Sequence, residues 1–438
     1  MHGRYWMLWW LLLAPAAQAQ SFGPPVWTQY RLRPSHNAVW VTPGAPVLPN
    51  AHYATSAAVV ANPVVVGDRL YVGNHMTGGL FAFAVRTARV LWDNDSPWFR
   101  HAPNWVHADM LLVHGRLYVG YGNRVFRSAQ VRGTGRSGVR ALNPETGATL
   151  WDHPTLGEVM PTPAYWQGSL YVATGGGALL ALDPRTGHTQ WHMRLPGWDS
   201  MSSPAVRDGH LYVGAENALV AVDLRRHRAL WVYHDNATFT DVPPAVSRHD
   251  HTVVITGMKA RSNASLAERK RYPLAKGYLQ FIYAFDARTG ALRWKHLMGN
   301  GPRQNNNTAG TPTLADGRVY VGSPYTHSLF CYRLDDGKLL WKAPVAAKVK
   351  GGPAVVGGRV YFGDTSGFLH VLNAGTGDPL RNAHGAALRP LKLGGSLGGR
   401  TPALAPGGPV IINQDVFIGS RDGNVYRVSI PQWIGAYH

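Results

Sequence analysis

Residues 141–151 read Ala141-Leu-Asn-Pro-Glu-Thr-Gly147-Ala-Thr-Leu-Trp151, and the chain returns to this pattern repeatedly. Forty residues later it reads Ala181-Leu-Asp-Pro-Arg-Thr-Gly187, and after another forty it reads Ala221-Val-Asp-Leu-Arg-Arg-His227. Self-similarity at a fixed period of this size indicates a repeat architecture. These copies and some weaker ones lead into a tryptophan, at Trp92, Trp151, Trp191, Trp231, Trp294 and Trp341. A further copy, Val371-Leu-Asn-Ala-Gly-Thr-Gly377, lacks the tryptophan.

A second element lies between the tryptophan blocks. Two examples are Pro163-Ala-Tyr-Trp-Gln-Gly-Ser-Leu-Tyr-Val172 and Pro204-Ala-Val-Arg-Asp-Gly-His-Leu-Tyr-Val213. Alternating apolar residues separated by glycine turns are typical of short β-strands. Each unit therefore reads as four strands: A follows the proline, B carries Leu-Tyr-Val, C carries Ala-Leu-Asp, and D carries the tryptophan.

Repeated four-stranded units of 40 to 60 residues form a β-propeller, in which each blade packs on its neighbours. We predict an all-β fold, an eight-bladed β-propeller of four-stranded blades. The first strands are expected to begin near Pro63, Pro103, Pro163, Pro204, Pro244, Pro312, Pro353 and Pro402.

The eighth unit has no D strand before the chain ends. The segment Trp27-Thr-Gln-Tyr-Arg-Leu32 matches the tryptophan-bearing strand. We therefore predict that an N-terminal strand near residues 27–32 completes the last blade, because closing the ring removes its open edges.

The Ala-Leu-Asp-x-x-Thr-Gly-x-x-x-Trp unit resembles the repeat of the quinoprotein-type (PQQ-like) propeller family, and the resemblance covers essentially the whole mature chain. It implies that the tryptophans pack one blade onto the next and do not contact a ligand. It does not specify a function. The same unit occurs in PQQ-dependent dehydrogenases, in the outer-membrane assembly lipoprotein BamB and in tetrathionate hydrolases.

The N-terminus carries an export signal. His2 and Arg4 precede an apolar run from Trp6 to Ala14, and Ala17-Gln-Ala19 matches an A-x-A cleavage site. We predict that residues 1–19 are a signal peptide and that residues 20–438 form one periplasmic or secreted propeller. The apolar run is shorter than the roughly 20 residues that span a bilayer, so we expect no transmembrane segment. No cysteine follows the run, so we expect no lipid anchor.

Charge and cysteine content exclude several classes of protein. Lys and Arg number 43 against 24 Asp and Glu, a net charge of +19. The basic residues are scattered and form no nucleic-acid motif, so the charge suits an acidic or anion-rich exterior better than a nucleic-acid partner. Cys331 is the only cysteine, which excludes an intrachain disulfide, a CxxCH haem site and a cysteine-rich zinc site.

Strand order places the B–C and D–A connections on one face, and these connections carry the chemically richer residues. Cations and amide donors there would form a cationic funnel suited to a multiply charged oxyanion. The basic insertion from Lys259 to Lys276 opens on the same face. A solvated basic rim without a ligand is the alternative. The candidate ligand-binding residues are Arg303, Asn305, Asn306, Asn307, Lys348, Lys350, Arg400, His101 and His107.

Asp241 is the candidate catalytic residue. It lies in Thr240-Asp-Val-Pro-Pro244, directly before an inner strand. A carboxylate among cations has a lowered pKa and stays ionised, so it can take a proton from water. The alternative is a strand cap or a lysine partner.

Three functions fit the resemblance. A cofactor-free hydrolase like tetrathionate hydrolase, acting on a small anionic substrate, is the leading interpretation. A non-enzymatic envelope scaffold like BamB, with protein partners, is the alternative. A PQQ-dependent dehydrogenase fits less well, because that group carries an adjacent cysteine pair and a Gly-Asp-Asn motif for which Gly214-Ala-Glu-Asn217 is a poor match. We therefore expect no quinone and no metal.

Overall fold

The computed structural model describes most of the chain. The described residues are 27–75, 77–94, 105–123, 126–128, 131–133, 136–199, 201–240, 242–272, 277–302, 310–393, 403–404 and 408–437. The predicted signal peptide lies outside them.

The described strands form eight blades, as the sequence predicts. Two N-terminal strands come first, β1 (Val39–Trp40) and β2 (Ala51–Ala54). Blade 1 comprises β3 (Val64–Val66), β4 (Arg69–Gly73), β5 (Leu80–Ala84) and β6 (Val90–Asp93), and blade 2 comprises β7 (Leu111–Val113), β8 (Arg116–Tyr121), β11 (Gly138–Leu142) and β12 (Thr149–Pro154). Blade 3 comprises β13 (Ala164–Trp166), β14 (Ser169–Ala173), β15 (Ala178–Leu182) and β16 (Thr189–Arg194). Blade 4 comprises β17 (Ala205–Arg207), β18 (His210–Ala215), β19 (Ala218–Asp223) and β20 (Arg228–His234). A separate hairpin in blade 2 comprises β9 (Phe126–Ser128) and β10 (Val131–Arg132).

Blades 5 to 8 continue the order. Blade 5 comprises β21 (Ala245–Val246), β22 (Thr252–Ala260), β23 (Tyr278–Asp286) and β24 (Leu292–Gly301), and blade 6 comprises β25 (Thr313–Ala315), β26 (Arg318–Ser323), β27 (Ser328–Arg333) and β28 (Leu339–Pro344). Blade 7 comprises β29 (Ala354–Val356), β30 (Arg359–Gly363), β31 (Phe368–Asn373) and β32 (Leu391–Lys392). Blade 8 contains β33 (Val410–Ile412), β34 (Asp415–Gly419) and β35 (Asn424–Ser429). The helices are a 3-10 turn (Arg261–Asn263), α1 (Leu266–Arg271) and α2 (Ile430–Ile434). First strands begin at Leu111 and Val410 in blades 2 and 8, later than the predicted Pro103 and Pro402.

An N-terminal strand closes the ring, but the predicted residues for it were wrong. The outer strand of blade 8 is β2, which pairs antiparallel with β35 from Ala51 opposite Arg427 to Ala54 opposite Asn424. Trp27 instead forms a bridge with Leu112 in the innermost strand of blade 2. The prediction was wrong because it looked for a tryptophan in the closing strand. Strand β2 carries Tyr53 and no tryptophan, and Tyr53 is fully buried.

The repeated tryptophans pack one blade onto the next, as expected. Trp92, Trp151 and Trp294 each donate a hydrogen bond from Nε1 to a carbonyl oxygen of the following blade, at 2.9, 3.0 and 2.9 Å. The glycine of the next Thr-Gly turn lies against the indole: a Cβ on Gly147 would come within 2.6 Å of the Trp92 ring. That glycine has φ of +71°, a conformation that favours glycine. The motif is therefore a device for joining blades.

Blade 7 has no tryptophan of its own, and the C-terminal helix supplies one. In four other blades, strand B carries a tyrosine beside the strand D tryptophan, as in Tyr320 and Trp341 with ring centroids 5.9 Å apart. In blade 7 the partner of Tyr361 is Trp433 of α2, at 6.3 Å. The chain end therefore fills the place that the seventh repeat leaves open.

Residues 27–40, here called the axial segment, contact the innermost strand of every blade. Each contact is made to the second residue of the strand. Thr28, Pro34, Ser35 and Ala38 accept backbone hydrogen bonds at 2.6 to 2.8 Å, and the side chain of Asn37 exchanges two more with Val355. In blade order, the contacted residues are Val65, Leu112, Tyr165, Val206, Val246, Leu314, Val355 and Ile411.

Candidate functional site

The D–A connections deliver residues to the axis on one face of the propeller. The position two residues before each first strand defines what we call the axial ring, and it is occupied by Asn62, Asp109, Thr162, Ser203, Pro243, Thr311, Gly352 and Gly408. Pro243 and the first four members line a small axial cavity of about 20 Å³, together with Tyr30, Val60, His107, Met160 and Met201.

Neighbouring members of the axial ring are hydrogen-bonded from blade to blade. The Ser203 hydroxyl accepts from the Thr162 backbone N–H at 2.9 Å, and the Thr162 hydroxyl accepts from the Asp109 N–H at 2.8 Å. The Asp109 carboxylate then accepts from the Asn62 N–H at 2.8 Å, and the Asn62 side-chain oxygen accepts from the Gly408 N–H at 2.7 Å. These hydrogen bonds join five blades, because each side chain accepts from a backbone N–H group in the connection of the neighbouring blade.

Arg31 of the axial segment lies beneath this ring and is fully buried. Its guanidinium donates to the carbonyl oxygens of His36, Pro353 and Pro409 at 2.9, 2.9 and 3.0 Å, and to the side-chain oxygen of Asn62 at 3.2 Å. A buried charge is tolerated when its donors are satisfied in this way. The axial segment therefore forms a polar floor under the cavity.

Burial dominates the protonation behaviour of this floor. It raises the pKa of Asp109 to about 6, although hydrogen bonds from Asn62 and the charge of Arg31 oppose the rise. It also lowers the pKa of His36 to about 3, with the Arg31 charge acting in the same direction. Asp109 is thus a carboxyl group that takes up a proton in mild acid, whereas the buried His36 stays neutral there.

Of the sequence-predicted residues, His107 is described and lines the axial cavity. It is 7% exposed, and its ring meets that of His75 edge-on at 4.4 Å. His75 comes from the B–C connection of blade 1 and also packs against Trp105 at 4.4 Å. Two histidines and a tryptophan from different connections therefore meet beside the axial cavity.

Lys348 and Lys350 lie in the D–A connection between blades 6 and 7, on the face where the cavity lies. Both are half-buried. Their carbonyl oxygens accept from the Thr365 and Thr311 N–H groups at 3.0 and 3.2 Å. These bonds fix the course of the backbone that carries the two cations. The remaining predicted site residues, Asp241, Arg303, Asn305, Asn306, Asn307, Arg400 and His101, lie outside the described residues.

The insertion of blade 5 does not direct Lys259 into a funnel. The Lys259 ammonium is 2.8 Å from Asp235 and 3.0 Å from Glu268, and the Lys295 ammonium lies 2.7 Å from each of the same carboxylates. Burial raises the pKa of Glu268, but hydrogen bonds from Lys295, the Ser265 N–H and Lys259 outweigh it and bring the pKa to about 2. The predicted basic stretch is thus partly neutralised by its own ion pairs.

The sequence analysis missed the polar core of the site. Asp109, Asn62 and Arg31 were not singled out, because the second blade was given a first strand eight residues too early and the axial segment was assigned to an outer strand. Aligning Leu111–Leu117 with the other units would have revealed Asp109 at the position of Thr162. No sequence signal marks Arg31, whose partners come from distant blades.

Two further properties concern the described part of the chain. Within it, no helix combines the length and the apolar character needed to cross a membrane. The same residues bring together no group of three or more His, Cys, Asp or Glu side chains that could hold a metal ion.

Relatives of this protein include tetrathionate hydrolases and BamB proteins. The tetrathionate hydrolase of Acidithiobacillus ferrooxidans is 28% identical over 459 aligned residues, which cover 91% of this chain and 86% of that protein. The outer membrane protein assembly factor BamB of Yersinia pestis is 24% identical over 310 residues, which cover 67% of each chain.

Solved structures share the fold. The quinohemoprotein alcohol dehydrogenase of Comamonas testosteroni matches with a TM-score of 0.63 at 15% identity, covering 93% of this chain and 80% of that chain. The sequence profile of the family described as outer membrane protein assembly factor BamB matches residues 135–265 and 280–430. Because that profile spans more than half of the chain, the protein belongs to this family of PQQ-like repeat propellers.

Proposed function

We propose that this protein is an exported hydrolase that cleaves a sulfur–sulfur-linked dianion, with tetrathionate as the leading substrate. The similarity to a protein named tetrathionate hydrolase along 91% of the chain carries the proposal. The net charge of +19 supports it, because a strongly cationic protein attracts a small dianion. Export follows from the predicted signal peptide at residues 1–19.

The catalytic role of Asp241 is supported by its position in the repeat. Asp241 stands four residues before the first strand of its blade. His107, Met160 and Met201 hold the same position in the three preceding blades, and all three line the axial cavity. Repeat equivalence therefore favours Asp241 as a further wall of that cavity.

The axial cavity has the size of a water site. Its volume of about 20 Å³ exceeds the roughly 10–15 Å³ that one water molecule requires. We propose that the attacking water sits there, below a substrate held at the mouth by Lys348, Lys350, Arg303 and Arg400 and by the amides of Asn305, Asn306 and Asn307. The dianion would then lie between the cations and the water.

The chemistry balances without a cofactor. The water oxygen bonds to a sulfonate sulfur of the polythionate, and the sulfur–sulfur bond to that atom breaks. The bond electrons leave on the sulfur chain, and sulfate is released from the attacked end. Asp241 would take a proton from the water as its oxygen attacks, and the cations would stabilise the negative charge that develops on the departing sulfur.

We propose that the protein works without PQQ, and three observations support this. A cavity of about 20 Å³ is too small for a tricyclic quinone, and Tyr30 and Arg31 of the axial segment form its floor. Cys331 is buried in β27 and has no second cysteine beside it in the sequence. The proposed reaction therefore uses the protein's own side chains.

The test is turnover of tetrathionate by the purified mature chain between roughly pH 3 and 7, a range that starts below the reference carboxylate pKa, with sulfate and proton release as readouts. We expect Asp241→Asn to abolish turnover while retaining tetrathionate binding in calorimetry. Lys350→Met should weaken binding by at least about tenfold, because a charge-assisted contact contributes roughly 1.5–3 kcal/mol.

The matched control is Asp335→Asn, since Asp335 is an exposed carboxylate in a C–D turn of blade 6. It should leave both readouts unchanged. Failure of the wild-type chain to release sulfate from tetrathionate, trithionate or pentathionate across that range would reject the proposal.

The second candidate function is an envelope scaffold, and the match to the family described by BamB favours it. In that case the propeller would bind protein partners of outer membrane assembly and would need no cationic site. Co-purification of outer membrane assembly proteins with the wild-type chain, unaffected by Asp241→Asn, is the expected result for this function.

A further inference from the structure

A second cavity lies at the side of the propeller, between blades 6 and 7, away from the axis. Its volume is about 580 Å³, which is in the range of small-molecule sites. Its walls come from the outer strand of blade 6 and from strand C, the C–D turn and the outer excursion of blade 7. The residues that carry the argument are Ala343, Asp364, His370, Leu372 and Arg389.

The cavity exists because one position of the repeat is filled differently in blade 6. Two residues after the strand D tryptophan, blades 4 and 5 carry Tyr233 and His296. Tyr233 packs on Phe285 of the next blade at 4.5 Å, and His296 stacks on Tyr332 at 5.6 Å. Blade 6 has Ala343 at this position, facing a cavity whose other wall includes Leu372. A small residue and a leucine replace two rings, so the space remains open.

The outer strand of blade 7 enlarges the opening. It begins with Pro379, which bridges to Leu372, but leaves the sheet after Leu380 and rejoins it only at Leu391, which pairs with Leu369. The excursion includes Leu388, Arg389 and Pro390 in the cavity wall. In blade 6 the corresponding strand pairs continuously from Leu339 to Pro344. The gap is thus built by a departure from the repeat.

A polar pair faces this otherwise apolar space. His370 is 7% exposed and Asp364 is 1% exposed. His370 Nε2 lies 2.8 Å from an Asp364 carboxylate oxygen, and the ring stacks on Phe362 at 4.8 Å with an interplanar angle of 8°. The other Asp364 oxygen accepts from the backbone N–H groups of Ser366 and Phe368. The histidine is therefore held rigidly while its Nδ1 has no hydrogen-bond partner among the described residues.

The charges around the opening are mainly positive. Arg389 is exposed at the cavity wall, and the Lys392 ammonium lies 4.6 Å from the centre of the Phe368 ring, which lines the cavity. The Asp364 carboxylate is already bonded to His370 and to backbone N–H groups. Asp378 is the other acid in the lining, on the exposed turn. A ligand that fits must combine an apolar body with one acidic head.

We propose that the cavity between blades 6 and 7 binds a small amphipathic monocarboxylic acid, separately from the axial site. Its apolar body would lie against Ala343 and Leu372. Its carboxyl group would meet His370 Nδ1, where the two groups share one proton, and Arg389 or Lys392 would neutralise the remaining charge. Neither the axial residues nor Asp241 takes part, so the two sites are independent.

Calorimetric titration of the purified chain with decanoate and with 4-phenylbutyrate tests the proposal. We expect one site per chain for at least one of them. Decanoate alone would indicate a lipid-derived acid, and phenylbutyrate alone a soluble aromatic acid. Decan-1-ol lacks the carboxyl group and acetate lacks the apolar body, so each should bind at least about tenfold more weakly.

Two variants locate the site. Ala343→Tyr restores the side chain that blade 4 carries and should remove binding while leaving the thermal unfolding midpoint unchanged or higher. His370→Phe keeps the stacked ring and should weaken carboxylate binding by at least about tenfold, since a charge-assisted hydrogen bond is lost. Arg389→Met should also weaken binding of the acid, and Lys338→Met, on an exposed turn of blade 6, is its control.

The proposal is overturned if neither acid binds, if decan-1-ol binds as tightly as decanoate, or if folded Ala343→Tyr binds as the wild type does. Should Ala343→Tyr fail to fold, unchanged binding by both Arg389→Met and His370→Phe would overturn it equally. Binding that persists in Asp241→Asn distinguishes this site from the axial one, whatever the outcome with tetrathionate.

Discussion

At the scale of single residues, the axis is organised by Arg31 and Asp109. Both are fully buried or nearly so, and each bonds to residues from several blades. Arg31 satisfies carbonyl groups that would otherwise be unpaired on the axis, while Asp109 organises the connection of blade 1 through Asn62. Removing either partner would leave buried polar groups without partners, which is expensive in free energy.

The raised pKa of Asp109 predicts a pH-dependent contribution to stability. The folded pKa is about 6 against a reference value of 3.8, so the folded state favours the protonated carboxyl group. Its contribution is fully present below about pH 4 and is lost as the pH rises through 6. The difference between the folded and the reference pKa of Asp109 corresponds to about 3 kcal/mol in the free energy of unfolding.

The measurement is guanidinium unfolding of the wild type and Asp109→Asn at pH 4 and pH 8. His36, with its pKa lowered to about 3, contributes in the opposite direction in both proteins and cancels in the comparison. We expect the free energy of unfolding of Asp109→Asn, relative to that of the wild type, to be higher at pH 8 than at pH 4. If the free energies of unfolding of the variant and the wild type differ by the same amount at both pH values, the Asp109 carboxyl group does not titrate in this range.

At the scale of elements, the tryptophan and the Thr-Gly turn act as a pair across each blade boundary. The turn glycine provides room for the indole of the preceding blade, and the indole N–H satisfies a carbonyl group of that turn. Blade 4 shows a variation in which His227 replaces the glycine and stacks on Trp191 at 5.1 Å. The pairing therefore survives substitution as long as a flat surface meets the indole.

Helix α2 should matter for stability although it is only five residues long. Trp433→Ala removes the ring that packs on Tyr361, and because the side chain is half-buried we expect a loss of about 2 kcal/mol, below the range for fully buried tryptophans. Chemical unfolding measures the loss. Gln432→Ala, on the exposed side of the helix, is the control and should change stability by less than about 0.5 kcal/mol.

At the scale of the whole molecule, both chain ends contribute to the ring. Strand β2 closes blade 8, helix α2 completes blade 7, and the axial segment touches the inner strand of all eight blades. Contacts between residues hundreds of positions apart, such as Arg31 with Pro409, form only when the ring closes. Closure and filling of the axis are therefore coupled.

A chain that begins at Val41 should keep β2 but lose the axial segment. We expect the backbone amides of Tyr165, Val246, Leu314 and Ile411 to lose their protection from hydrogen exchange, because each donates to the axial segment. Amides in the outer strands serve as the internal reference. Unchanged protection of all four amides in the folded truncated chain would contradict the predicted contribution of this segment.

The sequence by itself determined the repeat, the all-β fold and the number of blades. These follow from local patterns: strands alternate with period two, Gly turns separate them, and six of the units carry their own tryptophan at the end of the repeat. The placement of His107, Lys348 and Lys350 on the face of the D–A connections also follows from strand order alone. Local physics is sufficient because each blade repeats the same contacts with its neighbours.

Tertiary structure alone decided how the exceptions are resolved. The closing strand is β2 and not residues 27–32, because buried Tyr53 pairs there beside Arg427 while Trp27 is needed at the axis. Asp109 and Arg31 became visible as partners only when distant connections converged. The side cavity likewise depends on Ala343 of blade 6 facing Leu372 of blade 7. Such contacts join residues far apart in the chain, and no local pattern encodes them.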